Sequence, residues 1–292
     1  MPLEKIYVVR HGVSFPVYAA PLPTRLDIRE SEKAKSSLTS PFLQFRSHWV
    51  VDDKGNYRGA IPSPTGIDAD PALTSHGVTQ SRELGAHLAT LSDPPIEAVY
   101  SSPYYRCLQT IMPYVSAQEA AAASGRLPAS QAATTKIRPE AGFSEWFGAA
   151  PFEQPVPAEP YFLHHLFPAY DMGYATKVKP ARRGETYLQL RDRITAALEG
   201  VIRQCDEEGV RGIVLCSHAA AVILMGRILT GEFPDEMDTE DFKAFTCGLS
   251  VYSRPQAAAA ADDDAKVVGN WTCEKNSDCS FLSGGEERGW YV

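Results

Sequence analysis

The sequence predicts an α/β domain, a three-layer α/β/α sandwich with a mostly parallel sheet. Three observations predict it. Lys5–Val9, Glu97–Tyr100 and Ile213–Cys216 are short runs without polar alternation, the pattern of strands buried on both faces. Each run gives way abruptly to a polar turn. Helical patterns alternate with the runs along the chain, which is the order that builds a parallel sheet. A chain of 292 residues is long enough to bury one such core, so residues 1–292 read as a single domain.

The first run ends in Arg10-His11-Gly12. Ligands of open α/β sheets bind at the carboxyl ends of the strands. A neutral imidazole there can attack phosphorus, and a neighbouring guanidinium can hold phosphate oxygens with its fork. Taken alone, the tripeptide could equally be an ordinary turn. Asp70-Pro71-Ala72-Leu73-Thr74 reads as a turn, followed by an amphipathic helix over His76–Leu91. After the second run come Ser101-Ser102-Pro103 and Tyr105-Arg106-Cys107-Leu108-Gln109-Thr110. Pro103 fits the first turn of a helix, where a missing N–H costs nothing. Arg106 then lies near that helix's N-terminus, an end that favours anions.

Gln118–Thr135 is rich in Ala, Ser and Gln and reads as a helix end running into a surface loop. Glu140-Ala141-Gly142-Phe143-Ser144-Glu145-Trp146-Phe147 sets carboxylates beside aromatics. Pro151–Pro180, dense in proline and aromatics, is expected to form a cap over the phosphate site and to set substrate choice. Its His164-His165 pair reads as loop packing rather than as ligands. Thr186–Glu208 is a long helix with i,i+4 charge pairs such as Glu199–Arg203. The third run ends in Ser217-His218 and opens the helical run Val222–Leu229. Phe245–Ser253 and Val267–Leu282 read as a terminal strand pair, with Pro255–Lys266 as the exposed tip between them.

Two strand-end histidines, two arginines and a loop acid in this order do not arise readily by chance. The chain resembles the histidine phosphatase superfamily and its phosphoglycerate-mutase-like fold. The resemblance implies that His11 is a nucleophile that becomes phosphorylated. It also implies that Arg10, Arg106 and His218 clamp the phosphoryl oxygens, and that Glu145 donates the proton, with Glu140 in reserve. Leu73-Thr74-Ser75-His76-Gly77 and Gly184-Glu185-Thr186 also look like family features. The implied activity is that of a phosphomonoester hydrolase of the histidine acid phosphatase type. No cofactor is implied. The sequence has no helical His-x-x-x-His, paired Cys-x-x-Cys or acidic calcium loop.

One segment departs from the family. Relatives often carry a phosphate-binding arginine two positions past the glycine of Arg-His-Gly, and here that position is Ser14. Joining Gly12 to Phe45 would give Arg-His-Gly-Phe-Arg-Ser-His-Trp, with Arg46 as the missing phosphate contact. Residues 13–44 lack any helix or strand period. Val13-Ser14 and Leu43-Gln44 are compatible with intron boundary codons. The segment is expected to be a disordered insertion or a retained intron.

Phe45-Arg46-Ser47-His48-Trp49, Tyr105–Thr110 and Ser283-Gly284-Gly285-Glu286-Glu287-Arg288-Gly289-Trp290 narrow the resemblance. They are similar to fungal proteins related to the phosphatase-domain subunit of the RNA polymerase III factor TFIIIC. Two function classes follow: a phosphomonoesterase, or a weakly active or inactive phosphatase-fold subunit with protein partners in a transcription complex. A net charge of −8 argues against nonspecific nucleic-acid binding. The start of the chain has no signal-peptide pattern, and no apolar stretch approaches the roughly 20 residues that span a bilayer. The 6 cysteines are thinly spread, as suits a reducing compartment, so a cytoplasmic or nuclear location is expected.

Overall fold

The computed structural model describes residues 2–14, 49–52, 54–59, 61–235, 239–255 and 267–289. Strands β1 (Lys5–Arg10), β4 (Ala98–Ser101), β5 (Ile137–Pro139) and β6 (Gly212–Ser217) run parallel to one another. Strands β7 (Leu249–Ser253) and β8 (Thr272–Asp278) add an antiparallel edge, giving the order β5-β4-β6-β1-β7-β8. A separate small hairpin pairs β2 (Trp49–Val51) with β3 (Tyr57–Gly59).

Side-chain alternation along β1 divides the interior in two. Ile6 and Val8 face a core closed by helices α4 (Tyr187–Glu208) and α5 (Ala219–Thr230). Tyr7 and Val9 face the opposite core, closed by α1 (Ser75–Leu88) and α2 (Tyr105–Ala123). Helices therefore cover both faces of a mostly parallel sheet, which is the three-layer architecture the sequence predicts. Strand β5, only three positions long, lies between the stretches Gln118–Thr135 and Glu140–Phe147 and is not predicted from the sequence. A strand that short has no room to show a period.

Local chemistry fixes the helix starts that matter for the site. Thr74 caps α1 by accepting from the Gly77 amide at 2.9 Å. Gly77 must lack a side chain, since a Cβ there would meet the Val13 carbonyl oxygen at 2.1 Å. A full capping box, Thr186 with Gln189, starts α4. The expected cap region contains one helix, α3 (Pro160–Leu166), within otherwise irregular chain.

Val13 and Ser14, the first residues of the expected insertion, are buried. The Val13 carbonyl accepts from the Thr74 amide at 2.8 Å, and its own amide donates to Gln80 at 3.2 Å. The path out of the first strand is thus structural through Ser14. The rest of the insertion, together with Arg46, lies outside the described residues, as does most of the tip between β7 and β8. Among the described residues, no helix is long and apolar enough to cross a membrane.

Candidate active site

Strand register brings the two histidines together. Strands β1 and β6 pair in parallel with Arg10 opposite Ser217, so His11 and His218 follow side by side. The His11 amide donates to the Ser217 carbonyl at 3.0 Å, extending the ladder one step. The two rings stand edge to face with centroids 5.3 Å apart. Both side chains are fully buried.

His11 Nδ1 lies 2.8 Å from the Gly12 carbonyl oxygen. A carbonyl only accepts, so Nδ1 carries the proton in the neutral ring and Nε2 keeps the lone pair. The geometry thereby leaves Nε2 as the ring atom with the lone pair. Gly12 is itself held by its amide, which donates to Thr110 at 3.0 Å.

Arg106 sits in the first turn of α2 and is fully buried. Its Nη1 donates to Asp70 at 3.0 Å and to the Ala69 carbonyl at 3.1 Å. Asp70 also accepts from the Tyr105 amide at 2.7 Å, so one carboxylate caps the helix and orients the guanidinium. Burial pushes the Asp70 carboxyl up to about 6 against the pull of Arg106 and of that amide. The other face of Arg106 turns to the histidines, with Nη2 3.1 Å from His218 Nδ1 and 3.2 Å from Glu145 Oε2. The guanidinium also lies over the Tyr104 ring, 4.9 Å from its centroid.

Arg10 is held differently. Its Nη1 donates to the carbonyls of Ala244 at 2.7 Å and Arg288 at 2.5 Å. Its buried Nε has no hydrogen-bond partner among the described residues. Desolvation brings the Arg10 guanidinium down to about 10, only partly offset by Glu145. No carboxylate ion-pairs with it among the described residues. A buried guanidinium of this kind calls for an anion.

His218 caps α5 by position, so its ring lies at a helix N-terminus. Its Nε2 is 2.8 Å from Ser102 Oγ, and its Nδ1 is 3.3 Å from Glu145 Oε2. Nδ1 thus stands between a donor, Arg106, and an acceptor, Glu145. A neutral ring serves the donor and a protonated ring serves the acceptor. Burial works against the charged ring, but Cys107 and Glu145 outweigh it, so the net direction is upward from the ordinary 6.5. Cys107 Sγ lies 3.5 Å from His218 Nε2 and shifts the opposite way, down, through Cys216, His218 and Arg106.

The ligating atoms of His11, Glu145 and His218 all lie within 4.8 Å of one another. Two histidines and a carboxylate could hold a metal ion, but the guanidiniums of Arg10 and Arg106 beside them favour an anion. Glu145 Oε2 occupies part of that anion cradle, against Arg106 and His218. An incoming phosphate dianion would replace it there. Beyond Glu145 opens a cleft of about 660 Å³. It is lined by Tyr104, Ser144 and Glu145 and by Pro155, Val156 and Tyr174 from the expected cap.

The structure thus brings Arg10, His11, Arg106, Glu145 and His218 to one place. Glu140 does not join them. It is fully buried and accepts from Thr176 Oγ1 (2.6 Å), Tyr174 OH (2.8 Å) and the amides of Lys177 (2.8 Å) and Gly142 (2.9 Å). Its role is to tie the cap to the acid loop. The His164-His165 pair lies in helix α3 rather than in a loop, with His164 Nδ1 3.0 Å from the Tyr170 carbonyl oxygen and His165 exposed. Asp70, Ser102, Tyr104 and the backbone of Arg288 are site residues that the sequence did not reveal. A hint for the last lay in the Ser283–Trp290 motif. Its Glu287 binds His76 at 2.7 Å while its neighbour's carbonyl receives Arg10.

The chain belongs to the histidine phosphatase superfamily (branch 1), whose family model matches residues 61–259. It is 29% identical over 267 residues to the transcription factor tau 55 kDa subunit of Saccharomyces cerevisiae, covering 84% of this chain and 56% of that protein. It is 31% identical over 175 residues to the ecdysteroid-phosphate phosphatase of Drosophila melanogaster, covering 59% of this chain and 21% of that protein. The chain therefore spans about half or less of the curated relatives it matches. In fold it is similar to the crystal structure of the Bombix mori ecdysone phosphate phosphatase in complex with tungstate, with a TM-score of 0.55, 17% identity and 94% of this chain covered against 93% of that one.

The raised His218 gives a pH prediction with a definite sign. The ring is cationic below its folded value, so anion affinity is full there and falls as pH rises through that value, above 6.5. Tungstate affinity measured by calorimetry should drop about tenfold between pH of about 6 and about 9, the worth of one charge-assisted hydrogen bond. The His218→Gln variant should bind weakly with a flat profile. A wild-type profile as flat as the variant's would show that the ring does not change charge in this range.

Proposed function

We propose that this domain hydrolyses phosphate monoesters through a phosphohistidine formed on His11. One observation carries the reading: a buried Nε2 nucleophile faces a cradle of two guanidiniums and a second histidine, and the cradle holds an acid at the mouth of a cleft. His11 Nε2 attacks phosphorus as the ester P–O bond breaks. Glu145 gives its proton to the departing oxygen, whose body lies in the cleft. Arg10, Arg106 and a protonated His218 stabilise the charge on the transferring oxygens. Glu145 then takes a proton from water, which attacks the phosphohistidine, and phosphate leaves. The Pro155, Val156 and Tyr174 wall suits monoesters of bulky alcohols or phenols over small sugars.

The acid step is tested by Glu145→Gln. With 2,4-dinitrophenyl phosphate, whose leaving group needs no proton, formation of the phosphoenzyme should stay within about fivefold of wild type. With phenyl phosphate kcat should fall about 100- to 1,000-fold, within the range a positioned acid contributes. Equal losses on both esters would remove Glu145 from the proton-donor role.

A second reading is favoured by the relative that matches most of the chain, a transcription factor subunit. In it the domain is an interaction subunit of a transcription complex in the nucleus, and the phosphate site is little used. Wild-type protein that binds tungstate yet turns over no aryl phosphate or phosphopeptide would favour this second reading.

A further inference from the structure

The Gly184-Glu185-Thr186 motif finds no use in the chemistry above, yet it leads to a buried ion pair. Glu185 and Arg193 are 2% and 5% exposed. Arg193 Nε donates to both Glu185 oxygens, at 2.9 and 3.1 Å, and Nη2 donates to Oε2 at 2.8 Å. Its remaining nitrogen, Nη1, reaches the Gly142 carbonyl at 2.8 Å and the Ser144 carbonyl at 3.0 Å. On the other side of Glu145, Trp146 Nε1 donates to the Glu185 carbonyl at 2.7 Å. Glu185 Oε1 also accepts from the Ala181 amide at 3.2 Å, and Ala181 lines the cleft.

From these contacts we infer that the Glu185–Arg193 pair is a positioning unit for the proton donor Glu145, holding its loop from both sides and setting the width of the cleft. The inference rests on the phosphatase reading. Stability alone does not account for the pair, since replacing a buried ion pair by apolar residues is often neutral or stabilising. What only arginine supplies is the fork: two nitrogens, Nε and Nη2, make three contacts to one carboxylate, and the remaining nitrogen spans two carbonyls of the acid loop. Lysine at this position keeps the charge and loses the span. The acid would then sit out of line with the departing oxygen, while His11 and the phosphate clamp stay in place. Neither Arg193 nor Glu185 touches the reacting atoms, so both act through Glu145.

The test is a leaving-group series of aryl phosphates run on wild type, Arg193→Lys, Trp146→Phe and Glu145→Gln. For Arg193→Lys, formation of the phosphoenzyme from 2,4-dinitrophenyl phosphate should stay within about threefold of wild type, while kcat on phenyl phosphate should fall about 30- to 100-fold, approaching Glu145→Gln. KM should be little changed for both esters. Adding Arg193→Lys to Glu145→Gln should cause no further loss on phenyl phosphate, because the two act as one unit. Trp146→Phe, which removes a single hydrogen bond and keeps an aromatic ring edge to face with Tyr187, should steepen the series in the same sense by a smaller factor. It carries the test if Arg193→Lys folds poorly. Losses that are parallel across the series, or additive with Glu145→Gln, would overturn the positioning role while leaving the phosphatase reading intact. A wild type that forms no phosphohistidine with any ester would overturn both together.

Discussion

His11→Ala should abolish phosphohistidine formation and lower hydrolysis of aryl phosphates by at least about a thousandfold, the nucleophile being the one group the covalent route cannot replace. Removing the ring opens a hole beside His218 but leaves Arg10, Arg106 and His218 in place, with Arg106 still tied to Asp70 at 3.0 Å. Tungstate affinity should therefore fall by no more than about tenfold, the worth of one charge-assisted contact. The split between chemistry and binding separates a lost nucleophile from a collapsed site. In wild type, a rapid-quench experiment with a ³²P-labelled ester should trap an acid-labile adduct. The hydrogen bond from His11 Nδ1 to Gly12 assigns that adduct to Nε2, so phosphorus–nitrogen NMR should find phosphate there. An adduct at Nδ1 would require the ring to turn over and would contradict the tautomer argued from this contact. Turnover by purified His11→Ala equal to wild type would remove the mechanism.

How much of this was legible in the sequence follows from the range of each interaction. The strands bearing His11 and His218 could be seen because burial on both faces writes a continuous apolar run. Their adjacency follows from a register that places Arg10 opposite Ser217. Arg106 was legible because a helix start is a local signal. Asp70 was not: its turn looks like any Asp-Pro turn, and its partner lies 36 residues on. Glu140 and Glu145 are two acids in one loop, of which the resemblance put Glu145 first and Glu140 in reserve. The hydroxyls and amides of residues 174–178 folding onto Glu140 give the physical ground for that order. Arg193 likewise reads as one charge of a solvated helix, yet its position on the inner face of α4 buries it. Of the expected insertion only Val13 and Ser14 are among the described residues, and its lack of period hid that both are buried and that the Val13 amide donates to Gln80 of α1.

Arg106→Met should be damaging in two separable ways. The first is catalytic. Arg106 faces both His218 and Glu145, and losing one preorganised cation from the transferring oxygens costs about 2.7–4 kcal/mol in the barrier, or about 100- to 1,000-fold in kcat. The second is structural. Asp70 is fully buried, and without Arg106 its carboxylate keeps only backbone donors. Breaking a buried pair from one side costs about 3–5 kcal/mol, which for a domain of this size corresponds to a fall in Tm of about 10 °C. The pH dependence of that loss has a fixed sign. Asp70 already stands at about 6 in the folded protein, above its usual 3.8, and removing the arginine can only raise it further. A raised acid is neutral at low pH, so the destabilisation should be mild at pH of about 5 and should grow as pH rises through the folded value. Asp70→Asn on top of Arg106→Met removes the stranded charge. The double variant should regain most of the lost Tm at pH of about 8 and none of the lost activity. Thermal unfolding of the two variants across pH checks the first half, and kinetics on dinitrophenyl phosphate check the second. If the double variant recovered activity along with stability, Arg106 would be a scaffold for Asp70 and not a phosphate clamp. If it recovered neither, the carboxylate would not be the source of the instability.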